Sequence, residues 1–170
     1  MYTRQLFKSF VFIFSMTLVL SSCGWHLRGT QTALPAELQK VRLVTEQKDK
    51  QLHLALERAL QSAGATIIEN SDSPAYKLTV TSVSSDRRGV STTSRGKTAE
   101  YSLTSRITFT VADSLNQEVL SNVTVSREKT YYFDQTSVTS SFDEEKLLLA
   151  EMQRDLVQQI IRHYRAIKNQ

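Results

Sequence analysis

The chain has one cysteine, Cys23, and no second one to pair with it. A disulfide framework is therefore excluded, as is a cysteine-rich metal site. Histidine is scarce too. His26, His53 and His163 are the three present, and none stands in a His-x-Glu or His-x-x-x-His spacing that would hold a metal. There is no Gly-x-Ser-x-Gly elbow and no Walker loop. Charge of one sign is nearly missing as a bias, at +4 over 170 residues, which argues against general nucleic-acid binding. No hydrophobic run reaches the roughly 20 residues of a transmembrane helix. No repeat or low-complexity tract is visible. These absences leave catalysis without a constellation, so no enzymatic activity and no cofactor is expected.

What is present starts at the N-terminus. Arg4 and Lys8 form a basic leader, and the first acidic residue is Glu37. Phe10 to Leu20 form an apolar stretch of about a dozen residues, the length of a signal-peptide core. Ser21 and Ser22 end it directly before Cys23, with Leu20 at −3. Charge, length, small residues and cysteine placement together match a bacterial lipobox, so residues 1–22 read as a signal peptide cleaved before Cys23. Cys23 then becomes an N-palmitoyl, S-diacylglycerol cysteine, which explains a lone thiol in an exported chain. An ordinary secretory signal or an uncleaved anchor is the alternative. Gly24 at +2, in place of an aspartate, favours passage to the outer membrane by analogy with enterobacterial sorting. Removal of the signal takes two basic residues and no acidic one, so the mature charge is milder still. Residues 23–36 read as a lipidated N-terminus and tether, with Trp25 as an interfacial aromatic or a docking group for a protein partner. Residues 37–170 read as a single domain.

Within that domain Val41, Leu43 and Val44 mark a short strand. Asp49 to Ala63 follow helical spacing, with Leu52, Leu56 and Leu60 on one ridge, small alanines beside it and Gly64 as the stop. From Tyr76 the period changes to two. Tyr76, Leu78 and Val80 share one face. Tyr101, Leu103, Ile107, Phe109 and Val111 share the apolar face of the next strand, broken by Ser105. Asp113 to Gln117 read as a hairpin loop, after which Val119, Val123, Val125 and Tyr131 return. Ser141-Phe142-Asp143-Glu144 has capping-box spacing before a long helix, in which Leu148, Met152, Leu156, Ile160 and Tyr164 form the buried ridge. Glu144 and Glu145 are expected at the helix start, facing its dipole. The order β-α-β-β-β-α predicts an α+β, two-layer sandwich with two helices on one face of a four-stranded mixed sheet.

Two features suggest function by contact. Arg87, Arg88, Arg95 and Lys97 fall in a polar stretch without an acid between Asp86 and Glu100, and read as a basic loop. Guanidinium forks suit phosphate, as on a phosphorylated lipid headgroup; a solvated hairpin whose charges guard a sheet edge is the other reading. Thr79, Thr81, Thr104, Arg106, Thr108, Thr110 and Thr124 share the second sheet face. That face is either an ordinary exposed strand surface or one enclosed by a hydrophilic partner.

Cys23-Gly24-Trp25-His26-Leu27-Arg28-Gly29 resembles the mature N-terminus of the LptE family of lipopolysaccharide-assembly lipoproteins, also called rare lipoprotein B. Gly96-Lys97-Thr98-Ala99-Glu100-Tyr101 is similar to that family's entry into its long middle strand, and Tyr132-Phe133-Asp134 to the segment after its next strand. The resemblance implies a non-enzymatic outer-membrane lipoprotein on the periplasmic side. It implies that the protein plugs the LptD β-barrel, helps it assemble, binds lipopolysaccharide and aids its insertion into the outer leaflet. Arg95 and Lys97, next to the matching segment, are then the first candidates for lipid A phosphates. Arg87 and Arg88 match no motif of the family. A free-standing periplasm-facing lipoprotein that binds another envelope component is the alternative.

Overall fold

The structure, a computed structural model, describes residues 34–46, 49–70, 73–92, 96, 98–134 and 136–167. The signal peptide, Cys23, Gly24, Trp25, Arg95 and Lys97 lie outside the described residues. Strand β1 (Lys40–Thr45) leads through helix α1 (Lys50–Ser62) to strands β2 (Thr66–Ile67), β3 (Tyr76–Thr92), β4 (Thr98–Ala112) and β5 (Glu118–Tyr132), and helix α2 (Val138–Ala166) closes the chain. The sheet order is β2-β1-β3-β4-β5. β1 runs parallel to β2 and β3, and β3, β4 and β5 form an antiparallel meander. The two-layer α+β architecture is the expected one, but the sheet has five strands instead of four. The extra strand is the Ala65–Ile68 link. Only two of its residues pair, Thr66 with Lys40 and Ile67 with Val41, too few to produce an alternation that sequence could show.

Leucine ridges place the helices. Asp49 caps α1 by accepting from the Leu52 amide at 3.0 Å, satisfying one of the orphan donors of the first turn. Leu52, Leu56 and Leu60 are buried beneath it, and Gly64 ends the helix at φ +91°, a conformation that glycine adopts without steric cost. Helix α2 has 29 residues, about 43 Å at 1.5 Å per residue. It buries Met152, Leu156, Val157, Ile160, Ile161 and Tyr164. It begins at Val138, so the expected capping box is not formed. Ser137 takes the cap position, and the Ser141 hydroxyl, buried within the first turns, instead accepts from the Asp134 amide at 3.0 Å. Thr136 donates both its amide and its hydroxyl to the Asp134 carboxylate. This turn feeds the chain into the helix one turn earlier than the sequence pattern suggests. Those hydrogen bonds hold the Asp134 carboxyl below its ordinary pKa.

Leu34, inside the segment 23–36 expected as tether, is packed: it is 3 % exposed and its amide donates to the Ala63 carbonyl. The other end of the chain returns to the same place. Tyr164 is fully buried, its ring set edge-on to Tyr76 at 6.3 Å, and its hydroxyl donates to the Leu38 carbonyl at 2.9 Å. Desolvation, with Tyr76 adding to it, pushes the phenol well above its usual pKa, so it acts as a permanent donor. Tyr164→Phe is expected to cost about 1–3 kcal/mol, because the Leu38 carbonyl loses its buried donor. Urea unfolding, read as a lower midpoint at unchanged slope, checks this.

Two bulges set which side chains meet the helices. In β3 the register shifts between Val80 and Ser82. Leu78 and Val80 face the core before it, and Val83, Ser85 and Arg87 take that face after it, opposite Ile107, Ser105 and Leu103. In β5 Asn122 adopts φ 49°, and Val111 pairs with Leu120 while Phe109 pairs with Val123. Leu120 therefore packs against the core, and Val119, expected there, is 38 % exposed. Each bulge inserts one residue and exchanges the two faces.

Candidate functional site

The expected basic loop is not a loop at Arg87 and Arg88. β3 continues to Thr92, and both residues pair with β4, Arg87 opposite Leu103 and Arg88 opposite Ser102. As neighbours on a pleated strand they point to opposite faces, and the bulge before them decides which one meets the helices. Arg87 lies on the helix side. Its Nη1 is 2.8 Å from Glu145 Oε2, and its guanidinium sits 4.7 Å over the Tyr101 ring. Tyr131 donates its hydroxyl to the same Glu145 oxygen. The Glu145 and Tyr131 contacts raise the Arg87 pKa further. Burial, reinforced by Glu145, raises that of Tyr131. Glu145, expected to face the helix dipole, thus stands two turns inside α2 and ties the helix to both β3 and β5. Lys129 with Glu151 at 2.7 Å and Arg127 with Asp155 at 3.4 Å repeat the pattern along β5, though such partly exposed pairs add little individually.

Aromatic rings complete this end of the sandwich. Tyr101 stacks on Tyr131 at 5.9 Å, and Phe133 meets Tyr101 and Phe142 edge-on at 5.5 and 6.2 Å. Tyr132, on the opposite side of β5, is 71 % exposed. Sequence reading missed Glu145 and Tyr131 as partners of Arg87. The one available signal was Val83, three residues after Val80, which announces the change of phase.

The polar face is as expected. Thr104, Arg106, Thr108, Thr110 and Thr124 lie on the side of the sheet away from the helices. Thr108 and Thr124 share a hydroxyl contact at 2.9 Å, and Arg106 pairs with Asp86 at 3.0 Å. Thr79 lies on this side as well and Thr81 sits at the bulge, its hydroxyl donating to the Thr108 carbonyl. Ser102 donates to Glu128 beside Arg88. Arg88 itself is exposed and has no ion-pair or hydrogen-bond partner among the described residues. Its donors are therefore available on this face.

Of the histidines, His53 and His163 are described, and neither takes a chemical role that the geometry supports. His53 Nδ1 lies 3.3 Å from the Thr45 hydroxyl, and His163 is exposed beside the Phe109 ring. Among the described residues no cluster of His, Cys, Asp or Glu could hold a metal ion, and no helix is long and apolar enough to cross a membrane.

A helix-covered core and an open hydroxyl-rich sheet face define a two-layer α+β protein. The sequence model of the LptE family, described as lipopolysaccharide-assembly, matches residues 38–163; the chain belongs to this family, whose members are non-enzymatic assembly lipoproteins. It is 29 % identical over 148 residues to the LPS-assembly lipoprotein LptE of Pectobacterium atrosepticum, a match covering 85 % of this chain and 78 % of the relative. The LptE of Yersinia enterocolitica is also 29 % identical, over 160 residues, with 89 % and 75 % covered. Among solved structures, lipoprotein B of Nitrosomonas europaea shares the fold at a TM-score of 0.73 and 23 % identity, over 86 % of this chain and 93 % of that one. A minor lipoprotein of Acinetobacter baumannii is similar at a TM-score of 0.66 and 25 % identity, over 79 % and 96 %.

Proposed function

We propose that this lipopolysaccharide-assembly lipoprotein is anchored through Cys23 at the periplasmic side of the outer membrane, where it forms a complex with the LptD β-barrel and plugs its lumen. It helps the barrel assemble and contacts lipopolysaccharide directly during insertion into the outer leaflet. The single observation that carries this reading is the family match over residues 38–163. The hydroxyl-rich open face suits a polar barrel wall, because its threonines exchange hydrogen bonds with water or with a protein surface at little difference in energy. The phosphate contacts fall to Arg88 on the strand, together with Arg95 and Lys97 further on in the sequence. Arg87 braces the hairpin against α2 and contributes less to ligand.

Pull-down of the tagged chain from detergent-solubilised outer membranes tests the complex. A large barrel at about one to one supports it; an eluate holding the lone chain, with barrel levels unchanged on depletion, refutes it. The division of labour among the cations gives a separate prediction. Arg88→Glu, Arg95→Glu and Lys97→Glu should each weaken lipopolysaccharide binding several-fold and leave the melting temperature within about 2 °C, as surface changes stay within about 0.5 kcal/mol. Arg87→Glu should lower the melting temperature by several degrees, because it sets two carboxylates against each other beside Tyr131. Equal loss of binding from all four at equal stability would show that Arg87 is a ligand and not a brace.

A further inference from the structure

The two edges of the sheet are not alike. β2, at one edge, is two residues long, and so short a strand offers little to pair with. β5, at the other, has 15 residues and is bonded to β4 alone. Among the described residues no backbone group meets its outer side. Beyond the bulge at Asn122 its register with β4 runs without a shift from Val123 to Tyr132, about 30 Å at about 3.3 Å per residue. That run holds no proline and no glycine. Its cations do not guard the edge, because Arg127 and Lys129 are drawn to Asp155 and Glu151 of α2. A long, regular, uncovered edge is what folded proteins avoid unless something pairs with it.

The ladder shows which groups are open. The Phe133 amide donates to the Ala99 carbonyl, in step with the pairing of Tyr132 and Glu100. Bonds to the neighbour recur at every second residue of an antiparallel strand, so those to β4 fall on Val123, Val125, Arg127, Lys129 and Tyr131. Thr124, Ser126, Glu128, Thr130 and Tyr132 turn their N–H and C=O groups outward, and each of them is exposed. An alternating row of donors and acceptors at this spacing is matched by an extended polypeptide backbone. A second copy of this chain fits poorly. The two registers that pair most of the run with itself set Arg127 against Arg127, or Glu128 against Glu128 and Arg127 against Lys129. Like charges directly opposite are destabilising. The wall of a closed barrel cannot supply the strand either, since closure leaves it no free edge. Glu128 adds a charge requirement. It accepts from Ser102 and has no cation in ion-pair contact among the described residues.

We propose that β5 accepts an added strand from a partner protein: an extended loop or arm that is not itself a wall strand, with a lysine or arginine opposite Glu128. Backbone hydrogen bonds would hold it, and the side chains flanking the edge would select it. The source of the strand rests on the proposed complex; the open edge does not.

The first test is Ser126→Pro in the tagged full chain, recovered from detergent-solubilised outer membranes. It removes one outward N–H and no bond to β4, and an edge strand tolerates proline where its nitrogen faces out. The co-purified partner should fall roughly tenfold, because a carbonyl of the added strand loses its donor. Ser126→Ala, which keeps the N–H, should hold the partner at the parental yield. Both variants should melt within about 3 °C of the parent, as surface changes do. Glu128→Lys should lower the yield roughly fivefold by setting two cations against each other. The second test is hydrogen exchange of the full chain, alone in lipid nanodiscs and within the complex, and it decides the matter even if Ser126→Pro fails to fold. The amides of Thr124, Ser126, Glu128 and Thr130 should exchange freely in the lone chain and roughly tenfold slower or more in the complex, while those of Val125 and Arg127 stay protected in both. Free exchange of the outward amides within an intact complex overturns the added strand, as does a well-folded Ser126→Pro chain that keeps its partner. Protection already present in the lone chain, with sedimentation as a dimer, gives the edge to a second copy and overturns it too. Parental yield from Glu128→Lys overturns the basic residue. A parental chain that brings down no partner refutes the complex and the added strand with it, whereas the other failures leave the complex standing.

Discussion

Phe109→Ala will destabilise the domain by about 3–5 kcal/mol, the range for large aromatic truncations in cores. Phe109 is 0 % exposed and stands mid-way along β4, the central strand of the meander. Val80 of β3 and Val123 of β5 flank it in register, and the α2 helix passes above, with the His163 ring 6.2 Å away. Each neighbouring strand is bulged beside Phe109 but stays paired with β4 on both sides of its bulge, which limits how far the strands can close over the space the ring leaves. The loss combines transfer of the ring with an unfilled cavity, and the second part is large where the walls are rigid. Against a total stability of about 5–15 kcal/mol for a domain, this is a large share. A fall of roughly 6–20 °C in melting temperature follows at about 2–4 °C per kcal/mol. Leu115→Ala is the control: Leu115 is 75 % exposed in the β4–β5 turn, and its loss should stay within about 0.5 kcal/mol. Calorimetry on the two variants decides the matter. A Phe109→Ala melt within 3 °C of the parent would mean that the sheet relaxes into the space, and that the ladder is softer than its register implies.

The sequence was most readable where one period persists. The Leu52-Leu56-Leu60 ridge and the Met152-Leu156-Ile160-Tyr164 ridge each keep helical spacing over several turns, and both lie in the core as expected. β4 keeps its alternation for the same reason. Reading failed where a single inserted residue reverses the alternation. After Thr81 the apolar face of β3 carries Val83, Ser85 and Arg87, and a cation facing a helix looks, in sequence, like a loop residue. Its acceptability depends on Glu145, 58 residues away along the chain, and no local pattern encodes such a distance. The same limit hid the helix start. The spacing Ser141 to Glu144 is correct for a capping box, but Ser141 is drawn into a tertiary bond with the Asp134 amide, and Ser137 takes the cap. Ser105 was visible as an interruption. Only the fold shows that Ser85 faces it across the ladder. Of the site cations, sequence grouped Arg87 and Arg88 together, while the strand separates them by face.

Cys23→Ala should have the largest effect of any single change, because the anchor is covalent and the fold does not replace it. Each methylene buried in a bilayer contributes about 0.8 kcal/mol, and one acyl chain alone gives only marginal binding. The three chains expected on Cys23 therefore hold the protein for far longer than any contact of its mildly charged surface could. With alanine in place no thioether can form, and cleavage before residue 23 loses the group that directs it. Three readouts are expected to move together. Metabolic palmitate label should vanish from the chain, the intact mass should retain the residues before position 23, and the chain should leave the outer-membrane fraction. Ser22→Trp, which keeps the thiol but blocks the small-residue approach to it, should reproduce the loss of label. If the Cys23→Ala chain still carries palmitate and sediments with outer membranes, the lipobox reading fails. The apolar run from Phe10 to Leu20 would then be an uncleaved anchor or an ordinary secretory signal, and the lone thiol would again need an explanation. If label and mass change but the chain still co-purifies with a barrel, the contacts of the folded domain suffice for the complex once it has formed, and the lipid serves delivery alone.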